Sequence, residues 1–255
     1  MWILRCSRTG KRERYMKLSI QLYSLRDLAG SPQDMYALFP QLKALGFEGV
    51  ELAGIPQDPA MFRKMLDEAG LVATGAHFSM DDLEEKNLQE TIAVCKILGI
   101  TMLGVGGADH NNQKKLANSC AVLKAAAEAA APHGITVFYH NHESEFEPYK
   151  DGTLAIDSFL AACPLELDTH WSFCAGVDNY AYITGHKDRI CLLHIKDGVG
   201  KDTRALGEGE TDLDAVVRAA KDLGMEWLVL ENDTPSPDGL SDAARSMVWL
   251  KEHVL

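Results

Sequence analysis

The sequence predicts a single closed barrel of eight parallel strands alternating with helices, a (β/α)8 fold. Three observations predict it. Short β-rich runs recur at intervals of roughly 25 to 35 residues, the length of one strand–helix unit. Stretches of helical pattern lie between them, several stopping at a glycine. No linker, low-complexity tract or second composition regime divides the 255 residues, so one domain is the economical assignment.

The strand runs are residues 18–23, 49–52, 71–77, 101–105, 135–140, 165–168, 190–194 and 227–231. Residues 32–45 read as a helix with Met35, Leu38, Leu42 and Leu45 on its apolar side. The helices predicted over 59–69, 81–98 and 212–223 stop at Gly70, Gly99 and Gly224; glycine takes the left-handed turn that ends a helix at no steric cost. Residues 114–131 are Ala-rich, which favours helix, and end near Pro132-His133-Gly134. A last helix is predicted over 242–253. The competing arrangement is a doubly wound open sheet, which usually carries a glycine-rich phosphate turn after its first strand. Here Ser24-Leu25-Arg26-Asp27 follows that strand, and Gly104-Val105-Gly106-Gly107 lacks both the G-x-G-x-x-G spacing and a phosphate-binding lysine. Residues 16–255 are therefore assigned to one TIM barrel domain. Residues 1–15 are basic with no long apolar run, so they make a poor secretory signal. They read as a disordered leader or as a misannotated start upstream of Met16, and the second is preferred.

Hydrophobic residues make up 46% and charged residues 24%, the profile of a soluble globular protein. Twenty-five Lys+Arg against 37 Asp+Glu give a net charge of -12. Such a surface argues against non-specific nucleic-acid binding and against docking on anionic membranes. No apolar run approaches the roughly 18 residues of a membrane helix. The six cysteines (Cys6, Cys95, Cys120, Cys163, Cys174 and Cys191) are scattered with no C-x-x-C pair. They read as free thiols of a reducing, cytoplasmic protein.

In a closed parallel barrel the active site forms at the C-terminal ends of the strands. Strand three ends in His77. Strand five ends in Tyr139-His140-Asn141-His142-Glu143-Ser144-Glu145-Phe146, strand six in Leu167-Asp168-Thr169-His170-Trp171, strand seven in His194-Ile195-Lys196-Asp197 and strand eight in Glu231-Asn232-Asp233. Four consecutive strands thus finish in imidazole or carboxylate after an apolar run. Burying such groups without partners is costly, and one shared divalent cation resolves the cost. Mixed nitrogen and oxygen ligation suits Mn²⁺, Zn²⁺, Co²⁺ or Fe²⁺ better than Ca²⁺, with Mg²⁺ also admissible. A lone strand-end histidine is more often a hydrogen-bonded structural residue; the convergence of four strands is what points to a metal. Asp168, His194 and Glu231 are expected ligands. At strand five either His140 or His142 faces the metal, with Glu143 and Glu145 as oxygen alternatives. Lys196 reaches a substrate oxygen or forms a salt bridge. His77 is a candidate hydrogen-bond partner of the substrate. Trp171 and Phe173 form an apolar wall or pack in the core. Glu208, between Gly207 and Gly209, is a loop carboxylate. His110, His133, His186 and His253 receive no role.

The chain resembles the sugar phosphate isomerase/epimerase group of xylose isomerase-like barrels, which includes inosose dehydratases, ketose 3-epimerases and, more distantly, endonuclease IV. The matching segments are Gln21-Leu22-Tyr23-Ser24-Leu25-Arg26-Asp27, Gly46-Phe47-Glu48-Gly49-Val50-Glu51-Leu52, Tyr139-His140-Asn141-His142 with Glu145-Phe146, Leu167-Asp168-Thr169-His170-Trp171, His194-Ile195-Lys196-Asp197, Gly207-Glu208-Gly209 and Glu231-Asn232-Asp233. The resemblance covers nearly the whole chain from Met16 and is specific for the superfamily, not for a substrate. It implies one divalent metal ion held at His140, Asp168, His194 and Glu231, and a site-facing Glu208. His140 departs from the ketose epimerase pattern, where two glutamates exchange protons on either face of the substrate carbon, and so argues against a symmetric two-carboxylate exchange.

The expected chemistry follows. A metal ion polarises a carbonyl and a neighbouring hydroxyl of a sugar, keto-sugar or cyclitol, and a base removes the α-proton to give a metal-stabilised enediolate. Glu231 serves as ligand and base, and His140 or His142 as second acid/base. Return of the proton to carbon makes an isomerase or epimerase. Loss of a β-hydroxyl or alkoxide makes a dehydratase or lyase on a keto-inositol or 3-keto-glycoside. An abasic-DNA nuclease is disfavoured by the net charge of -12, and a non-catalytic sugar-binding barrel by the intact set of metal-binding residues. Barrels of this class commonly form homo-oligomers, and the sequence sets no number.

Overall fold

Eight parallel strands close into a barrel in the computed structural model, which describes residues 16–255. Residues 1–15, with the expected leader and Cys6, lie outside the described residues. The strands are β1 (Lys17–Gln21), β2 (Gly49–Ala53), β3 (Val72–Phe78), β4 (Met102–Val105), β5 (Thr136–His140), β6 (Leu165–Asp168), β7 (Ile190–Ile195) and β10 (Trp227–Leu230). They pair in chain order, and β10 closes on β1 with Lys17 opposite Trp227 and Ile20 opposite Leu230. Nine helices alternate with them among the described residues: α1 (Pro32–Leu45), α2 (Pro59–Ala69), α3 (Glu85–Leu98), α4 (Gln113–Ala130), α5 (Ala155–Ala162), α6 (Thr169–Cys174), α7 (Asn179–Gly185), α8 (Leu213–Leu223) and α9 (Gly239–His253).

The helix boundaries have local causes. Ser31, Asp58, Asn112, Asp212 and Asp238 each accept a hydrogen bond from a first-turn amide, which satisfies a donor the helix itself leaves free. Gly70, Gly99 and Gly224 adopt the left-handed conformation at the expected stops. The helix expected from residue 81 instead starts as a 3₁₀ turn over Met80–Leu83, closed by reciprocal capping between Ser79 and Asp82. Glu84 is extended, so α3 begins only at Glu85. The strand expected over 18–23 ends at Gln21, whose side chain accepts from the Tyr23 amide and turns the chain into a 3₁₀ segment, Leu22–Leu25. The short helices α5, α6 and α7 were not expected, nor was the antiparallel hairpin of β8 (Asp197–Val199) and β9 (Asp202–Arg204).

Strand alternation places the core and the site. Leu165 and Leu167 of β6 face the helices while Glu166 and Asp168 face the barrel axis, and all four are buried. The same alternation sets Leu193 and Ile195 against His194 and Lys196, and Val50 and Leu52 against Glu51. Tyr139 stacks outward on Phe159 of α5, with ring centroids 3.8 Å apart, so His140 points inward. The upper barrel is therefore filled with polar groups. Among the described residues no helix is long and apolar enough to cross a membrane, and the cysteines Cys95, Cys120, Cys163, Cys174 and Cys191 are free thiols.

One glycine makes room for this interior. The ring of Phe138, inward on β5, lies over Gly104, where a Cβ would meet it at 2.1 Å. From there Phe138 packs edge-on against His77, with centroids 5.6 Å apart. Gly104→Ala is expected to destabilise the fold by about 1–3 kcal/mol, because the ring must leave its rotamer. A lower urea midpoint at unchanged slope is the expected readout; an unchanged midpoint would contradict this packing.

Candidate active site

Two stacked layers of charge fill the C-terminal end of the barrel. The upper layer is built from the ends of β5, β6, β7 and β10. Asp168 caps α6: its Oδ1 accepts from the amides of His170 (2.9 Å) and Trp171 (2.8 Å), and its own amide donates to Asn141 Oδ1 (3.0 Å). That leaves Oδ2 directed elsewhere. Lys196, fully buried, places Nζ 2.7 Å from Asp168 Oδ2, 2.7 Å from Glu231 Oε2 and 2.8 Å from Asp233 Oδ2. His194 Nδ1 lies 2.9 Å from Glu231 Oε2, and His140 Nε2 lies 3.8 Å from Asp168 Oδ2. One donor atom from each of His140, Asp168, His194 and Glu231 falls within 4.8 Å of the others.

The lower layer holds Glu51, His77 and Glu166. Glu166 Oε2 is 2.6 Å from His77 Nε2, and Glu51 Oε2 is 2.6 Å from His194 Nε2 and 2.8 Å from Gln21 Nε2. His77, His140, Glu166 and His194 form a second group of donor atoms within 4.8 Å of one another.

The upper layer fits a divalent cation. Its Asp168 Oδ2 is buried with Lys196 Nζ beside it at 2.7 Å, while the buried atoms Glu51 Oε1, Glu166 Oε1 and His140 Nδ1, which make no hydrogen bond, belong to the lower layer. Each such atom costs about 1–3 kcal/mol if left alone. Imidazole nitrogens and carboxylate oxygens in one cluster are the donors such an ion takes.

The charges are interdependent. Burial would raise the Glu231 carboxyl, but Lys196 and His194 beside it hold it well below the usual carboxylate range. Burial would lower Lys196, but Asp168, Glu231 and Asp233 push it well above an ordinary lysine. Burial would lower His194 too, and Glu166, Glu231 and Glu51 instead raise it well above an ordinary histidine. His140 moves the other way: burial, then the neighbouring His194, hold it well below, so it is a neutral imidazole at pH 7. Burial raises Asp168 despite Lys196.

Above the upper layer opens a cavity of about 560 Å³, reached by His140, Glu231 and Asp233 and walled by Tyr23, His142 and Trp171. A second cavity of about 580 Å³ lies at the opposite barrel end, beside the strand starts Met102, Ile190 and Trp227. It holds none of the clustered metal-binding groups.

The family described as xylose isomerase-like TIM barrel matches residues 39–253. The chain belongs to this family. No curated protein matches it in sequence. Among solved structures it is similar to a sugar phosphate isomerase/epimerase from Parabacteroides distasonis ATCC 8503 (20% identity, 96% of this chain and 98% of that chain, TM-score 0.79). It is similar to a D-allulose 3-epimerase from Methylomonas sp. in complex with D-allulose (17% identity, 94% and 98%, TM-score 0.73). It is also similar to a protein described as a "probable 3-DHS dehydratase" from Bacillus anthracis (14% identity, 92% and 99%, TM-score 0.73). Likeness at these identities shows the shared fold.

Within this xylose isomerase-like barrel, His77, His140, His142, Trp171 and Glu231 line the cavity, while Asp168, His194 and Lys196 are fully buried and do not themselves line it. The Trp171 Nε1 donor has no hydrogen-bond partner in the chain. Phe173 does not line the cavity. Glu145 is occupied by the Tyr139 hydroxyl (2.6 Å) and the His142 amide (3.1 Å), and Glu143 pairs with Lys201, so neither belongs to the cluster. Glu208 is a correction: it pairs with Arg245 at 2.7 Å and does not line the cavity. The carboxylate that organises its loop is Asp197, which accepts from the amides of Gly207 (2.9 Å), Gly209 (2.9 Å) and Thr211 (3.0 Å). The expected set omitted Glu51 and Glu166. Both interrupt apolar strand runs, in Val50-Glu51-Leu52 and in Leu165-Glu166-Leu167, and that interruption is the signal that could have found them.

A ligating imidazole nitrogen must shed its proton, and His194 carries its proton to higher pH than an ordinary histidine. Adding Mn²⁺ to metal-stripped protein in weak buffer near pH 7 is therefore expected to acidify the solution. The apparent affinity should tighten as pH rises from about 6 to 8. Binding that releases no proton would contradict ligation by His194.

Proposed function

We propose that this chain is a divalent-metal-dependent isomerase or epimerase of a sugar or keto-sugar. The observation that carries the reading is the convergence of His140, Asp168, His194 and Glu231, from four separate strands, within 4.8 Å beside one cavity, which His140 and Glu231 line. A divalent ion held by these four residues would supply a Lewis acid for a carbonyl oxygen and its neighbouring hydroxyl. The residues of the chain do the rest. Glu231 reaches the cavity as an ionised carboxylate and takes the proton from the carbon beside the carbonyl. His140 would give its lone pair to the ion, so His142, half-exposed at the rim of the cavity, is the group left to exchange a proton on the other side. Lys196 keeps its charge and, 2.7–2.8 Å from Asp168, Glu231 and Asp233, fixes these carboxylates, the salt bridge of the two roles expected for it. His77, which lines the cavity, is available to substrate hydroxyls, and Trp171 forms part of the wall. The solved neighbour in complex with D-allulose supports a small polyhydroxylated ligand.

One observation favours a second outcome of the same first step. His140 supplies an imidazole where two-carboxylate epimerases use a glutamate, and one fold neighbour is described as a dehydratase. Protonation of a leaving β-oxygen by His142 would make the chain a dehydratase or lyase on a keto-inositol or 3-keto-glycoside. In both outcomes the α C–H bond breaks and the base keeps its proton; the outcomes differ in whether a proton returns to carbon or goes to the departing oxygen.

Incubating Mn²⁺-loaded protein with candidate ketoses and keto-glycosides in D₂O tests the reading. Deuterium at the α-carbon without loss of water or aglycone is expected. Elimination products would transfer the assignment to the lyase, and no exchange with any candidate would contradict both. Glu231→Gln should lower the exchange rate by about 10²- to 10⁴-fold with the fold intact; undiminished exchange would remove Glu231 as the base.

A further inference from the structure

Glu51 and Glu166 of the lower layer take no part in the reaction proposed above, yet they touch two of the four residues proposed to hold the ion. Glu166 and Asp168 are two residues apart on β6 and face the same way, so Glu166 sits about 6–7 Å deeper along the barrel axis. Glu166 Oε2 contacts three imidazoles: His77 Nε2 at 2.6 Å, His194 Nε2 at 3.1 Å and His140 Nδ1 at 3.4 Å. Glu51 Oε2 lies 2.6 Å from His194 Nε2 and is itself fixed by Gln21 Nε2 at 2.8 Å. Space for Glu51 is built in, since a Cβ on Gly75 of β3 would stand 2.7 Å from Glu51 Oε1.

His140 and His194 therefore each have one nitrogen in each layer. Below are His140 Nδ1 and His194 Nε2, facing Glu166 and Glu51. Above are His140 Nε2, 3.8 Å from Asp168 Oδ2, and His194 Nδ1, 2.9 Å from Glu231 Oε2. A neutral imidazole has one N–H and one lone pair, and an ionised carboxylate only accepts. A hydrogen on the lower nitrogen of His194 bonds Glu51, one on His140 Nδ1 would face Glu166 Oε2 at 3.4 Å, and each ring keeps its lone pair in the upper layer. There the carboxylates Asp168 and Glu231 also lack a donor of their own from these rings, and a cation serves all four groups at once. The reverse tautomers would set lone pairs against the buried carboxylates Glu51 and Glu166, which repel them.

We propose that Glu166 and Glu51 are positioning residues that hold His140 as the Nδ1–H tautomer and His194 as the Nε2–H tautomer, so that both present their lone pairs to a cation in the upper layer. This rests on the metal reading of the preceding subsection. Outer carboxylates of this kind typically change metal affinity by about 10- to 100-fold.

The test uses full-length protein loaded with Zn²⁺ for nitrogen-15 spectra of the imidazoles, and with Mn²⁺ for affinity by chelator competition. The wild type is expected to bind one Mn²⁺ per chain and to show the two stated tautomers with Zn²⁺. Glu166→Gln and Glu51→Gln are expected to weaken Mn²⁺ binding by about 10- to 100-fold and to alter the His140 and His194 signals, at near-wild-type melting temperature. Should Glu166→Gln fail to fold, Glu51→Gln and the wild-type spectrum still decide. Reverse tautomers in the wild type, or unchanged affinity in a folded variant, overturn the proposal while the metal reading stands. Two ions in the wild type and one in Glu166→Gln would overturn it differently, making Glu166 a ligand. No Mn²⁺ bound by the wild type would defeat the metal reading and this proposal with it.

Discussion

Compensation of buried charge is the constraint on which the rest of this barrel depends. Glu51, Glu166, Asp168 and Glu231 are all buried at one end of a closed sheet, with Lys196 and His194 fully buried among them. An isolated ion in such surroundings is prohibitively costly, so each group is tolerable only through the others. The ammonium of Lys196 offsets Asp168, Glu231 and Asp233 at 2.7–2.8 Å. The imidazoles of His77 and His194 serve Glu51 and Glu166. The compensation is incomplete, because buried oxygens of Glu51, Glu166 and Asp168 stay without hydrogen bonds. In the upper layer one ammonium is shared among three carboxylates, a negative excess that a divalent cation would offset.

The surrounding structure reads as support for this arrangement. Asp168 gives one oxygen to the amides of α6 and turns the other to Lys196 within the upper layer. Gly75 and Gly104 clear space for Glu51 and for the Phe138 ring that backs His77. Asn141 accepts from the Asp168 amide, and Asp197 ties the loop at Gly207 and Gly209 to the end of β7. None of these residues reaches the cavity, yet each limits where a cavity-facing group can stand.

Much of the barrel was legible in the sequence because its signals are local. Glycine stops and amphipathic stretches marked α1 to α4, α8 and α9, and the strand runs fell within a few residues of the observed strands. α5, α6 and α7 escaped because six to eight residues are too few to show a helical period. The strand-end rule led to Asp168, His194 and Glu231 and left strand five open between His140 and His142, since every strand of a parallel barrel delivers its last inward residue to the same mouth. The same rule hid Glu51 and Glu166, which lie inside the strands. Glu208, expected at the site from its place between two glycines and from the resemblance, pairs instead with Arg245 on α9, 37 residues along the chain, a contact that only the folded loop makes.

The central claim is that the four strand-end groups hold one divalent ion. Anomalous X-ray diffraction from crystals of the Mn²⁺-loaded protein tests it most directly. A single strong anomalous peak in contact with His140, Asp168, His194 and Glu231 is the predicted result. No peak in the barrel, or one confined to the lower layer among Glu51, His77 and Glu166, would contradict the account.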